Sequence, residues 1–404
     1  MQLKLLNFHK MLANIATNLV GAFISLIIYQ ASGSLVLPCI YLLCMYTVRL
    51  LCNIALRKFY FKCPQLLLLL RVIPMLFYNI FILLLDVNLI LGVVGTCIFV
   101  GINDSINICS KEVILNYSSM DNSGSNSLGI TRLFEQAGVI IAFIVGGFLL
   151  DVNTTLVVGI SMGIYIISVI PLFIYYIRSR KSKSFNQDAT SNAIIAISKN
   201  PNLSSHRKKL VKSILRDYFI VYFMFGFVDV LNTTFNLYLF ITGGAFATAG
   251  IFSAIFNIAY AVGAYVFGKI NDKHDTTILV SFACIVIAIA TSILPFINNI
   301  IITGVIFALI GLCLPTMSIF VLQRMMIKSR ILGISNNALM ARENACVASY
   351  MTIWVLGLAT AVICPLIPIF IGIGASMAGS AYAIPKNEER TRKKLVDFLQ
   401  DNEI

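Results

Sequence analysis

S-L-G-I-T-R-L-F-E-Q-A-G-V-I-I-A-F-I-V-G-G-F-L-L-D, Ser127 to Asp151, decides the fold. About 20 mostly apolar residues, at about 1.5 Å each, cross the roughly 30 Å of a bilayer's hydrocarbon. This stretch is long enough, yet Arg132 and Glu135 lie in its first turns. Charge at that depth is costly and faces a bundle interior or a water-filled space. Helical periodicity puts Arg132, Glu135, Ala142 and Gly146 on one face. Gly138, Ala142 and Gly146 recur every four residues, the spacing that lets membrane helices approach closely. Two readings follow: a packing face with a structural ion pair, or a gating or coupling site in a transporter.

Outward from this stretch the chain is equally apolar. Of 404 residues, 59% are hydrophobic and 12% charged, which excludes an ordinary soluble globule. Apolar runs occupy about 11–31, 35–56, 65–85, 88–110, 128–150 and 153–177, then 217–242, 246–267, 277–297, 299–322, 336–360 and 363–384. The first run is longer than a signal peptide's apolar core and another follows at once, so a retained helix is expected. The expectation is an all-α membrane protein with twelve transmembrane helices in two six-helix halves. Its parts are an N-terminal half (1–177), a basic linker (178–216), a C-terminal half (217–384) and a tail (385–404).

The net charge of +13 is distributed by loop. Loops near 32–34, 86–88, 151–154, 242–246, 297–300 and 360–363 hold no Lys or Arg. The alternate loops hold Arg57, Lys58 and Lys62, then Lys111, the 178–216 cluster, Lys269 and Lys273, and Arg324, Lys328 and Arg330. Such alternation sets the basic loops and both termini in the cytoplasm, most simply at the plasma membrane. The excess charge is therefore assigned to loops near lipid, and nucleic acid is not an expected partner. The tail pairs Glu388 with Arg392 and Glu389 with Lys393 at i,i+4 and reads as a short surface helix.

The ten cysteines form no C-x-x-C pair and sit mostly in apolar runs, and His9, His206 and His274 are scattered in polar segments, so no metal site is expected. No G-x-x-x-x-G-K-[ST] phosphate loop and no H-E-x-x-H pair occurs. The chain is not read as an enzyme, and no cofactor is expected.

The fifth run resembles a motif of antiporters in the major facilitator superfamily: Gly, three residues, Gly-Pro, two residues, Gly-Gly. Gly138, Gly146 and Gly147 match the outer glycines, whereas Ala142-Phe143 replaces the central Gly-Pro. G-K-I-N-D-K-H-D-T-T, Gly268 to Thr277, resembles the same superfamily's loop signature through Gly268, Asp272 and Lys273. The resemblance implies that Asp272 caps a neighbouring helix and latches the cytoplasmic gate. The first-half counterpart, A-L-R-K-F-Y-F-K-C-P (55–64), lacks the aspartate. Asn126 precedes Arg132 as Asn336 precedes Arg342, 210 positions later, which suggests a diverged repeat of parallel halves.

Ionisable residues inside the runs form two sets. Arg49, Arg71, Asp104, Arg132 and Glu135 nearly balance in charge and are expected to pair across helices, structurally or for proton and substrate handling. Arg342 and Glu343 open the eleventh run. Asp229 lies near the middle of the seventh run, with Asn232 and Asn236 on the same face. A carboxyl sealed there suits reversible protonation, although a neutral, hydrogen-bonded structural acid is the alternative. Asn14 and Asn18 form a related stripe on helix one, which the resemblance places beside the same central cavity. Asn257, Tyr260 and Trp354 are further cavity candidates.

Secondary transport of a small-molecule solute is thus expected, as proton-coupled efflux by alternating access, with Asp229 and Glu135 as proton-coupling candidates. The alternatives are a non-transporting sensor or accessory protein on the same fold, or a lipid flippase.

Overall fold

A computed structural model describes residues 2–118, 125–181, 201–297, 299–361 and 366–400. All regular structure among these residues is helical. In the first half, α1 (Gln2–Gly21) and α2 (Ile24–Ser32) form span one and α3 (Val36–Ala55) forms span two. After α4 (Arg57–Lys62), α5 (Pro64–Leu70) and α6 (Val72–Leu83) form span three. Spans four to six are α7 (Leu89–Ser118), α8 (Ser125–Leu150) and α9 (Thr154–Lys181). The second half comprises α10 (Pro201–Asp229), α11 (Leu231–Gly243), α12 (Phe246–Asn271), α13 (Thr277–Ile293), α14 (Ile300–Ile331), α15 (Ser335–Thr360) and α16 (Ile367–Gln400).

Ten helices among the described residues are long and apolar enough to cross a membrane. The expected seventh and eleventh spans are not among the ten. The seventh is split at Val230, and the eleventh carries Asn336, Asn337, Arg342, Glu343 and Asn344 near its start. Apolar side chains left bare line the outside: Ile278, Phe282, Ile285 and Ile289 make an exposed stripe along α13. Such a stripe suits lipid, since helical spacing groups it on one face.

Within the first half α1 packs against α8 and α9, and α3 against α7. Within the second, α12 packs against α14, α13 against α16, and α10 against α15. The halves meet along two seams, α8 with α12 and α3 with α15. The α8 glycines set that helix's packing on span one and, across the first seam, on α12. A Cβ on Gly138 would lie 2.4 Å from the Met11 carbonyl oxygen, and one on Gly146 2.5 Å from that of Leu19. Gly147 meets the Phe246 carbonyl, and Gly250 meets that of Phe143. Ala142 is fully buried between them. The spacing that resembles the antiporter motif therefore serves close packing on span one and on α12.

Three helix interruptions matter for the interior. The α5–α6 break falls at Arg71, where Pro74 offers no N–H to Leu70 and crowds its carbonyl. Span one breaks at Ala22 and Phe23. Span seven breaks at Val230, whose carbonyl takes the Thr234 hydroxyl at 3.0 Å, a side-chain bond of the kind that bends helices.

Two expected boundaries change. Residues 201–216 of the basic linker are helical and continue into span seven. The tail is not a separate surface helix, because α16 runs through Pro385 to Gln400. Ion pairs explain the continuation: Lys394 to Asp217 at 2.7 Å, Arg390 to Asp217 at 3.8 Å, and Glu388 to Lys328 at 2.7 Å. Those contacts dock the extension on α10 and α14 at the basic end, the end that carries the basic loops.

Candidate functional site

A cavity of about 300 Å³ lies between the halves. Span one contributes Asn14, Thr17 and Asn18, and α3 contributes Tyr41, Met45 and Tyr46. Arg71, Asp104 and Asn107 come from spans three and four, and Asn232, Thr233 and Asn236 from α11. The interruptions of spans one, three and seven bring Gly21–Ala22, Arg71 and Asn232 to this level. Broken helices with free backbone groups at mid-depth are how transporter folds build binding sites.

The carboxamides are held by specific bonds. Asn14 donates to the Glu135 carbonyl at 3.1 Å and Asn18 to the Asn14 carbonyl at 2.9 Å. The Ser253 hydroxyl lies 3.1 Å from Asn232 Oδ1 and 2.6 Å from Asn236 Oδ1. Asn257 donates to the Ser253 carbonyl and Tyr260 meets Ser318 at 3.5 Å; neither is in the cavity wall. Trp354 is fully buried packing.

The ionisable residues of the first half do not form one network. Arg71 is held by neutral groups: Nε donates to Asn103 at 2.7 Å, Nη1 to Asn107 at 3.0 Å and Nη2 to Thr17 at 3.4 Å. Asp104 accepts from the Asn103 amide at 3.2 Å. Glu135 is salt-bridged to Lys10 at 3.5 Å and Lys111 at 3.2 Å. The Arg132 side chain lies outside the described residues. Arg49 crosses to the other half and bonds Glu343 at 2.8 Å. Glu343 also meets Arg342 at 3.6 Å, and Arg342 reaches back to Glu112 on α7 at 3.3 Å. This buried string, with Arg57 to Asn337 at 2.8 Å, joins the halves at the basic end.

Asp229 ends α10 just before the break. It is exposed on one side and accepts a 2.7 Å hydrogen bond from the buried Tyr350 hydroxyl on the other. The carboxyl is thus hydrogen-bonded on its packed side and open on the other. The Tyr350 ring lies 4.9 Å from that of Tyr46, a cavity residue, and 5.6 Å from the Arg49 guanidinium. Asp229 is therefore linked through one tyrosine to both the cavity wall and the inter-half string.

At the α12–α13 loop, Asp272 and Lys273 are exposed and Gly268 is buried. Asn271, the last residue of α12, is buried; it donates to Gln323 of α14 and accepts from Thr276 at 2.5 Å. Asp275 accepts from the Thr277 N–H at 3.2 Å and hydroxyl at 2.7 Å, at the start of α13. A larger groove, about 600 Å³, lies beside this loop and α16. It is rimmed by both signs of charge, including Arg324, Arg392, Asp275 and Glu389, and it lies outside the inter-half interior.

Sequence reasoning misses Tyr350, Glu112, Lys10 and Lys111, because periodicity names a face and not the partner across it. His9, in a segment that reads as polar, is buried, and its ring bonds the Ser168 carbonyl at 2.7 Å. Gly159, Ser161 and Gly163 have the spacing of a hydrolase nucleophile elbow. They lie mid-helix in α9, and Ser161 donates to the Ala16 carbonyl at 2.7 Å, which lacks the strand-to-helix turn that chemistry needs.

The comparisons agree with this architecture. A sequence profile described as Major Facilitator Superfamily matches residues 67–338. The chain belongs to the major facilitator superfamily. Among solved structures it is similar to a bacterial homologue of the iron transporter ferroportin in an outward-facing state. That match has a TM-score of 0.65 and 10% identity, and covers 97% of this chain and 100% of the other. It is also similar to the human organic anion transporter MFSD10, with a TM-score of 0.63, 8% identity and coverage of 94% and 98%. A singly substituted form of the E. coli fucose:proton symporter gives 0.54, 11% identity and coverage of 96% and 98%. At these identities the likeness is one of fold. Comparison with curated proteins finds no match. The chain is a multi-pass membrane transporter of this superfamily.

Proposed function

We propose that the chain is a secondary transporter that moves a small polar solute through the central cavity by alternating access, coupled to protons. One observation carries this reading: a polar cavity lined from both halves, with an inter-half ion-pair string at one end. A structural core would fill such a space with apolar side chains, because buried polar groups are costly unless used. The two halves rocking about the cavity would break the string at the basic end in one state and keep it in the other.

Asp229 is the preferred proton carrier. Glu135 is held by two lysines, so protonating it would remove two ion pairs. Asp229 has a neutral tyrosine partner and an open side. The fold is shared with a fucose:proton symporter, which supports proton coupling as a chemistry of this scaffold. The glycine spacing of α8 resembles the antiporter motif, so export is the direction proposed. The basic end is assigned to the cytoplasm, with residues 1–177 and 217–384 as the moving halves.

The test is reconstitution in proteoliposomes with an imposed pH gradient and a panel of labelled polar solutes. Wild type should accumulate a solute against its gradient. Asp229→Asn should lose gradient-driven accumulation and keep solute exchange. Equal gradient response in both would remove Asp229 from the coupling route. Protease access to a tag at Lys199 checks orientation: cleavage from outside intact cells would overturn it.

A further inference from the structure

We propose that the central cavity takes a zwitterion, an amino acid or close analogue, with Arg71 receiving the carboxylate and Asp104 the ammonium. This deepens the transport reading and rests on it. Both charges line the same cavity, yet they are not ion-paired with each other. The Asn103 carboxamide stands between them, accepting from Arg71 and donating to Asp104. It holds the two charges at fixed places while cancelling neither.

Neither charge makes an ion pair within 4 Å among the described residues. Arg71 is 2% exposed, and its three hydrogen bonds go to two amides and a hydroxyl. A guanidinium has five N–H donors, so one remains on each terminal nitrogen, the fork that matches a carboxylate. Asp104 has one bond among the described residues, from the neighbouring amide. Charges left unpaired inside a membrane protein are costly, and a ligand bearing the two complementary charges offsets both costs at once. A third orphan points the same way: the buried Tyr41 hydroxyl, in the cavity wall, has no hydrogen-bond partner among the described residues. A hexose would satisfy the amides and leave both charges unmatched. A simple amine or acid would match one and strand the other.

The test measures binding apart from transport. The purified full chain in detergent is titrated by thermal shift and calorimetry with amino acids. Each is set beside its amine, lacking the carboxylate, and its acid, lacking the ammonium, with hexoses as uncharged controls. At least one zwitterion should bind at least about tenfold more tightly than its own amine and acid, since each analogue leaves a charge unmatched. Arg71→Gln should close the gap between zwitterion and amine, and Asp104→Asn the gap between zwitterion and acid. Arg71→Lys should restore part of the preference. The wild-type panel decides alone if a variant fails to fold. The proposal falls if no zwitterion binds, or if a hexose or singly charged analogue binds as tightly. A zwitterion that binds with no flux in proteoliposomes would sink the transport reading and leave the ligand assignment standing. A hexose carried across with no zwitterion binding would do the reverse.

Discussion

Tyr350 is the residue on which the proposed coupling route turns. Its hydroxyl bonds Asp229, while its ring touches Tyr46 and the Arg49 guanidinium. A hydrogen bond to a charged group is worth about 1.5–3 kcal/mol, and the exposed side of Asp229 puts this one at the low end. Tyr350→Phe should therefore cut gradient-driven transport and add little to the loss already caused by Asp229→Asn. A double-mutant cycle on vesicle uptake measures that, and additive losses would separate the two residues. A second carboxylate gives a pH test outside the membrane. The Thr277 hydroxyl, and then its N–H, hold Asp275 below the usual carboxylate range. A depressed carboxylate contributes stability above its unfolded value, about 3.9, and that contribution is lost as pH falls through the folded value. Asp275→Ala should thus lower the melting temperature slightly at neutral pH, by no more in acid. A larger loss in acid would contradict the sign. The effect is small, since the group is exposed and screened.

At the scale of elements, the α8 glycines are the sharpest constraint. Adding a methyl at Gly146 forces its Cβ against a backbone carbonyl, so α1 or α8 must move. Gly146→Ala should destabilise the protein by about 1–3 kcal/mol, the usual cost of overpacking. Gly163, on α9, has nothing within 4 Å of the added carbon. Gly163→Ala should be neutral or stabilising by up to about 1 kcal/mol, from helix propensity. Unfolding in detergent compares them; equal melting temperatures would show that the α8 spacing carries no packing role. These glycines were legible in the sequence because a four-residue repeat on an apolar helix has few other uses. The long apolar runs and alternating loop charge were legible for the same reason, since a bilayer fixes both. The breaks at Ala22 and Val230 were not. No proline marks them, and the side-chain bond at Val230 depends on a local competition that periodicity does not encode. Nor was the Arg49–Glu343 pair, whose members are 294 residues apart. The first-half charges nearly balance on paper, and only packing shows that Arg49 spends its charge on the other half.

At the scale of the whole molecule, the two ends of the inter-half interface differ in chemistry. The basic end is ionic: Arg49 to Glu343 at 2.8 Å and Arg342 to Glu112 at 3.3 Å. The opposite end is aromatic and capped. Phe23 meets Phe246 edge-on at 6.2 Å, Tyr29 meets Phe240 at 6.3 Å, and Asp151 accepts the Phe246 and Ala247 N–H groups at 3.1 and 3.0 Å. The proposed rocking of the halves would exchange one set for the other, so single substitutions should bias it in opposite directions. Glu343→Gln leaves Arg49 and Arg342 without their shared carboxylate. Breaking a buried pair costs about 3–5 kcal/mol, and the cost falls on the state that keeps the pair. Even about 3 kcal/mol moves a two-state equilibrium by a factor on the order of 10². Phe240→Ala weakens the aromatic end instead. The reporter is a cysteine at Asn18, in the cavity wall, with the native cysteines replaced. Labelling with a membrane-impermeant maleimide is compared in right-side-out and inside-out vesicles. Glu343→Gln should raise labelling from the basic side, and Phe240→Ala from the other. Two substitutions that raise labelling from the same side, or leave both unchanged, would mean that these contacts are static struts and that the halves do not move about this cavity.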